Sequence, residues 1–247
     1  MFARITLLSI VTILVASCAT VPKSKLRTGT NGSECVILLH GLNRSLRAMD
    51  EMAEALHDAG YTTANIDYPS QSAPIEEIAP LAVDTGLSEC RTAGATTIHF
   101  VTHSLGGILL RYRQSQEPIP DLGRVVMLGP PNQGSEVVDE LRDWKGADLL
   151  GGPAGRQLGT DEESVPSQLG PVDFELGVVA GVGTINPWMS AILPGMDDGK
   201  VTVESTRVHG MVDFLIVDSS HAYLMKNEVV IQNTIAFLQT GKFPRLR

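Results

Sequence analysis

The strongest chemical signal in the chain is a serine in a tight turn with glycines on one side. Ser104 lies within the run VTHSLGG (residues 101–107), which follows a strand-like stretch and precedes an apolar helical pattern. A strand that turns sharply into a helix lifts the serine hydroxyl out of the backbone, where it can attack an ester-like carbonyl. The pattern therefore predicts a nucleophile elbow with Ser104 at its apex.

One position departs from the usual Gly-x-Ser-x-Gly pattern of such a turn. Thr102 stands where the first glycine belongs, and a β-branched residue leaves less room between strand and helix. Gly106 and Gly107 supply the small residues on the other side. An alternative interpretation is that Ser104 only caps the helix that follows it, since serine is a preferred N-cap residue.

A nucleophilic serine needs a histidine to take its proton and a carboxylate to orient that histidine. Behind an elbow of this kind the usual chain order is serine, acid, histidine. Of the six histidines, His209 and His221 follow Ser104. His209 lies inside a strand-like run at 208–217, whereas His221 follows that run in a loop just before the last helix. We therefore favour His221 as the base.

The acid is expected between a strand at 176–181 and His221. Asp197 and Asp198 lie there, in the segment GMDDGKV. An Asp-Gly turn is also ordinary loop chemistry, so the segment by itself does not choose between the two carboxylates.

Together these motifs resemble those of the bacterial triacylglycerol-lipase type of α/β-hydrolase. The resemblance covers most of residues 34–240. It rests on an apolar strand followed by HGL (40–42), on the serine turn (101–107), and on DGKV (198–201) followed by His221. It implies an α/β-hydrolase fold, with a mostly parallel, doubly wound sheet and helices on both faces. It also implies hydrolysis of carboxylic esters through an acyl-enzyme intermediate, without a cofactor.

The resemblance also assigns roles to single residues. It favours Asp198 over Asp197 as the acid. The oxyanion hole would be formed by the backbone N–H groups of Leu105, which follows the nucleophile, and Leu42, with Gly41 letting that loop fold inward. Relatives that bind structural calcium carry an aspartate where this chain has Tyr223, so no metal is expected.

Three alternatives to an ester hydrolase stay open. An acyltransferase or a thioesterase would use the same three side chains and differ in the groups between which the acyl chain passes. A non-catalytic envelope lipoprotein on a hydrolase scaffold is the third, and Thr102 is the feature that favours it.

The remaining pattern predicts strands alternating with helices, as in a parallel sheet. Strands are expected at 35–39, 61–68, 96–102, 122–128, 176–181 and 208–217, and helices at 49–60, 75–91, 105–114, 136–144 and 226–238. The candidate walls of an acyl pocket are Pro130, Pro131, Trp188 and Met189. Arg44 could contact a substrate carboxylate or phosphate, although a solvated arginine is the alternative.

The N-terminus carries the pattern of an export signal. Arg4 precedes an apolar stretch at 5–16 that is too short to span a bilayer, and residues 14–18 read LVASC. Small residues before a cysteine resemble the lipobox of bacterial lipoproteins, in which the cysteine is acylated and becomes the first residue. An ordinary secretory signal with an unmodified Cys18 is the alternative.

These patterns divide the chain into a signal peptide (1–17), a flexible tether (18–33) and an α/β-hydrolase domain (34–247), with a possible cap or lid at about 130–175. Acyl chains on Cys18 would hold the protein on a membrane surface. By resemblance, Ala19 after the cysteine favours the outer membrane over the inner membrane, so we expect an exported, lipid-anchored protein of the cell envelope.

Composition excludes one class of partner and suggests a crosslink. The chain has 247 residues, a net charge of −9 and no basic run, which argues against binding to nucleic acid. The resemblance implies a small-molecule or lipid ester as the partner. With Cys18 modified, Cys35 and Cys90 remain as an even pair in an oxidising compartment. We expect them to form a disulfide; two buried thiols are the alternative.

Overall fold

The computed structural model describes residues 22–142, 151–185 and 187–244. In these ranges seven strands form one sheet in the order β1-β3-β2-β4-β5-β6-β7. The strands are β1 (Lys23–Arg27), β2 (Glu34–Leu39), β3 (Thr62–Asp67), β4 (Thr97–His103), β5 (Leu122–Leu128), β6 (Leu176–Gly181) and β7 (Asp213–Val217). All neighbouring pairs are parallel except β1 with β3. The central strands are covered on both faces, which is why they are nearly continuous apolar runs in the sequence.

Helices pack on both faces of the sheet. The longer ones are α1 (Asp50–Asp58), α2 (Ile75–Thr92), α3 (Leu105–Gln116) and α8 (Glu228–Thr240); the short ones are α4 (Glu136–Leu141), α5 (Gly152–Arg156), α6 (Val165–Gln168) and α7 (Pro187–Ser190). Along β2, Ile37 joins the apolar core under α2 and α3, whereas Val36 and Leu38 join the core under α1 and α8. This alternation follows from the two-residue period of a strand.

Part of the predicted tether over residues 18–33 belongs to the sheet. Residues 23–27 form β1, which pairs antiparallel with β3 at the edge of the sheet. Its charged side chains reach the neighbouring helix: Lys25 Nζ lies 3.0 Å from Asp50 Oδ1, and Arg27 lies 3.4 Å from Glu54. An edge strand is solvated and commonly carries lysine, so its sequence is polar like that of a linker. Residues 18–21 lie outside the described ranges.

Several predicted boundaries also differ from the structure. The last strand begins at Asp213 and not at 208, because residues 209–210 form a turn; His209 is exposed there. The helix predicted at 136–144 ends at Leu141, and 143–144 lie outside the described ranges. The final helix begins at Glu228, since the Asn227 side chain accepts hydrogen bonds from the first free backbone N–H groups.

A disulfide joins Cys35 at the start of β2 to Cys90 near the end of α2, with a Cα–Cα distance of 5.7 Å. Both residues are fully buried in the same core. The crosslink therefore attaches a central strand to the helix that covers it, as expected from the sequence. Across the described ranges, no helix is both long and apolar enough to cross a membrane.

Candidate active site

Ser104 occupies a strained backbone position between a strand and a helix. Its φ is 52° and its ψ is −121°, its N–H donates to the Leu128 carbonyl at 2.9 Å, and α3 begins at the next residue. A side-chain-bearing residue in such a conformation costs about 1–3 kcal/mol. The Ser104 side chain forms no cap hydrogen bond to α3, so its hydroxyl is not engaged in helix capping.

Close packing around the turn explains which neighbours have to be glycine. A Cβ on Gly106 would stand 2.6 Å from the Leu39 carbonyl oxygen, because the first turn of α3 presses against the end of β2. Thr102 is fully buried, and a Cβ on Gly107 would stand 3.2 Å from its Oγ1. The departure from glycine at Thr102 is therefore accommodated because Gly107 has no side chain.

A buried hydrogen bond joins the predicted acid to the predicted base. Asp198 Oδ2 lies 2.8 Å from His221 Nδ1, and the Asp198 carbonyl accepts the His221 N–H at 2.9 Å. The other carboxylate oxygen, Oδ1, accepts the backbone N–H groups of Lys200 and Val201 at 3.0 and 2.9 Å. A carboxylate with both oxygens engaged cannot rotate. Since it only accepts, the proton of a neutral His221 lies on Nδ1, which leaves the Nε2 lone pair for a substrate proton.

Asp197 is engaged elsewhere. Its Oδ1 accepts the Gly199 N–H at 2.7 Å, and the Ser190 hydroxyl donates to the same carboxylate at 2.6–2.7 Å. Asp197 therefore braces the loop that carries Asp198, and the geometry favours Asp198 as the partner of His221.

Gly129, the residue directly after β5, is part of the site although the sequence analysis gave it no role. Its φ is 55°. A Cβ there would stand 3.0 Å from Asp198 Oδ2 and 3.2 Å from His221 Nδ1. Only glycine leaves room for the acid and the base against the end of β5. A glycine directly after a buried strand that neighbours the elbow strand was the available signal.

His103 also has a role that its place in the motif did not reveal. Its Nε2 lies 2.9 Å from the His221 carbonyl, which can only accept, so Nε2 carries the proton. Burial lowers the pKa of His103 well below 6.5, and positive charge on His221 lowers it further. The neutral ring therefore holds the His221 backbone without competing for the substrate proton.

Neither of the two predicted oxyanion donors lies in a strand, so neither backbone N–H is used in sheet pairing. Leu105 is the first residue of α3, where a backbone N–H has no acceptor within the helix. Leu42 follows β2 and lines the same cavity as Ser104 and His221. Their role in binding an oxyanion stays a prediction.

A cavity of about 110 Å³ opens at Ser104 and His221. Residues from the predicted cap region form part of its wall, among them Pro131, Val137, Val138, Leu141 and Leu158. Of the four predicted walls, Pro131 and Met189 line it. Pro130 and Trp188 do not, and the Trp188 side chain is 85% exposed. The described part of the chain contains no cluster of His, Cys, Asp or Glu that could hold a metal ion.

Solved structures show that this chain has an α/β-hydrolase fold. It is similar to the mature lipase BlEst2 of Bacillus licheniformis (TM-score 0.72, 20% identity, covering 88% of this chain and 97% of that one). It is also similar to a Paleococcus ferrophilus monoacylglycerol lipase (0.61, 15%, 89% and 99%). The Legionella pneumophila phospholipase PlaB is similar over 85% of this chain and 57% of its own (0.61, 17%). No protein-family model and no curated protein sequence matches the chain.

Lowering the pH below about 6.5 should destabilise the protein. Burial lowers the pKa values of His40, His99 and His103 below 6.5. Below pH 6.5 the unfolded chain binds protons at these histidines that the folded chain does not, so the free energy of unfolding falls as the pH falls toward the folded-state values. Urea unfolding at about pH 7.5 and about pH 5.5 measures this, and His103→Gln should weaken the dependence. Equal free energies at the two pH values would contradict it.

Proposed function

We propose that this protein is a serine hydrolase that cleaves carboxylic esters of the lipase or esterase type. The observation that carries the proposal is the buried 2.8 Å hydrogen bond between Asp198 and His221, beside a cavity that Ser104 also lines. The strained backbone at Ser104 adds support, since such strain persists where the surrounding structure enforces it. Lipolytic enzymes among the structural neighbours are consistent with the same chemistry.

The proposed reaction proceeds through an acyl-enzyme. Ser104 Oγ attacks the ester carbonyl while His221 Nε2 takes its proton, and Asp198 stabilises the imidazolium that forms. The N–H groups of Leu42 and Leu105 stabilise the oxyanion. His221 then gives its proton to the leaving alcohol. Water, activated by the same histidine, releases the acyl group and restores Ser104.

The cavity wall favours an apolar acyl chain. Leu42, Val138, Leu158, Met189 and Val201 all contribute to it. A panel of p-nitrophenyl esters of increasing acyl length would define the chain length that the cavity accepts.

Ser104 should be the residue that reacts with a fluorophosphonate probe. The wild type should be labelled, and Ser104→Ala should not be. Ser135 is a matched control, because it lines the same cavity while its hydroxyl donates to the Lys200 carbonyl at 2.8 Å. Ser135→Ala should therefore keep the label. A wild type that does not react, or a Ser104→Ala variant that still does, would overturn the proposal.

The two neighbouring aspartates should differ strongly in their effect on catalysis. Asp198→Asn should lower kcat for p-nitrophenyl butyrate by roughly 10³- to 10⁴-fold, because an amide in that place favours the wrong histidine tautomer. Asp197→Asn should retain most of the activity, since Asp197 bonds to Ser190 and Gly199 and not to His221. Equal losses in the two variants would argue against Asp198 as the acid.

We also propose that the protein is exported and anchored to the cell envelope through an acylated Cys18. The LVASC segment and the Cys35–Cys90 disulfide support this location. Bacteria that express the full chain should incorporate an alkyne-tagged palmitate into the wild type and not into Cys18→Ala, and the variant should leave the membrane fraction. Membrane association without label would contradict acylation.

A further inference from the structure

All the ionised side chains that line the cavity among the described residues are basic. They are Arg44, Arg142, Arg156 and Lys200, and no aspartate or glutamate joins them. The chain as a whole carries a net charge of −9. The cavity wall is therefore positively charged although the protein as a whole is negatively charged. This contrast indicates that positive charge is needed at the cavity itself.

Within the described residues, two of these cations have no acidic partner. Arg142 is neutralised by Asp139 and Asp161. In contrast, neither Arg44 nor Lys200 forms an ion pair with any residue in the described ranges, and both are exposed toward solvent. The Asp198 carboxylate is already committed to His221 and to two backbone N–H groups.

The two cations line the same cavity, where their like charges repel each other. Although Lys200 is exposed toward solvent, the protein atoms around it still desolvate its ammonium group and lower its pKa; the Arg44 charge lowers the pKa further, against the opposite effect of Asp198. The charges of Arg44 and Lys200 also lower the pKa of His103, next to Ser104, although burial and the charge of His221 lower it more. An uncompensated pair of like charges beside a nucleophile is a site for an anion, since one anion replaces a repulsion with two attractions.

Arg44 and Lys200 line the cavity that contains Ser104 and lie close in sequence to other site residues. Arg44 lies two residues after Leu42, in the loop after β2, and Lys200 lies two residues after Asp198. The Lys200 backbone is fixed, because its N–H donates to Asp198 and its carbonyl accepts from Ser135. Both cations are therefore carried by the segments that carry the proposed oxyanion donor and acid.

We propose that Arg44 and Lys200 bind a phosphate or carboxylate group of the substrate, so that the enzyme prefers esters with an anionic group close to the scissile bond. This inference rests on the proposed ester hydrolysis and narrows its substrate class. Arginine suits the role, since its guanidinium can donate two parallel hydrogen bonds to either group.

Matched esters that differ only in the anion test the preference. For the carboxylate, p-nitrophenyl hydrogen adipate is compared with p-nitrophenyl hexanoate, which has the same number of acyl carbons. For the phosphate, oleoyl lysophosphatidic acid is compared with monooleoylglycerol in the same non-ionic detergent. We expect kcat/KM to be higher for the anionic member of at least one pair, and this advantage to shrink as salt is added. The pair that shows it identifies the anion.

Neutral substitutions should remove the preference. Arg44→Gln and Lys200→Gln should each lower the anionic-to-neutral ratio of kcat/KM by about tenfold, the scale of one charge-assisted hydrogen bond. Arg44→Lys and Lys200→Arg should restore part of it, which separates loss of charge from loss of fold. Arg47→Gln is the matched control, because Arg47 is exposed on the same segment but does not line the cavity; it should leave the ratio unchanged.

The outcomes separate this inference from the proposed function. If the wild type cleaves the neutral esters but does not prefer the anionic ones, the anion site is overturned and the hydrolase proposal stands. The same holds if the preference exists but both Gln variants keep it. If no ester is cleaved, the hydrolase proposal fails. In that case, calorimetry would measure the binding of monoethyl adipate to Ser104→Ala. Binding that is lost when Arg44→Gln and Lys200→Gln are added to this variant would still support the anion site, and absent binding would overturn it.

Discussion

The reversed backbone at Ser104 is the constraint on which the rest of the site depends. A residue with a side chain is held at a φ of 52° because strand β4 must end and helix α3 must begin without a connecting loop. The conformation is maintained by the hydrogen bond from Ser104 N–H to the end of β5 and by the close contact of Gly106 with the end of β2. Both neighbouring strands of β4 therefore support the turn.

The parallel sheet brings the remaining groups to the same edge. Parallel strands have their carboxyl ends on one side, so the segments that follow β2, β4, β5 and β7 meet there. They supply Leu42, Ser104, Gly129 and His221 in turn, and Asp198 reaches the same edge from the segment between β6 and β7. The requirements are coupled: the missing side chain of Gly129 admits the Asp198–His221 pair, and the His103 ring holds the His221 carbonyl. Because these contacts depend on one another, the positions of the Ser104, Asp198 and His221 side chains are tightly constrained.

The sequence predicted best those parts that are set by burial or by motif. The strands at 122–128 and 176–181 have the predicted bounds, because buried parallel strands are continuous apolar runs. β1 was missed for the opposite reason, since an edge strand with three basic residues is as polar as a linker. A glycine directly after β5 is visible in the sequence, but its role depends on contacts with Asp198 and His221, which lie far along the chain. Arg44 and Lys200 likewise lie more than a hundred residues apart in the sequence, and the fold makes both of them line the cavity.

The electrostatics of the cavity connect substrate binding to the chemical step. Arg44 and Lys200 line the same cavity as His221, and positive charge disfavours a protonated imidazole nearby. In the proposed reaction His221 becomes positively charged in the transition state, and Asp198 offsets that charge. A bound anion would neutralise the cation pair at the moment when the imidazolium forms. An anionic group on the substrate would therefore contribute to transition-state stabilisation as well as to binding, and its effect would extend to kcat.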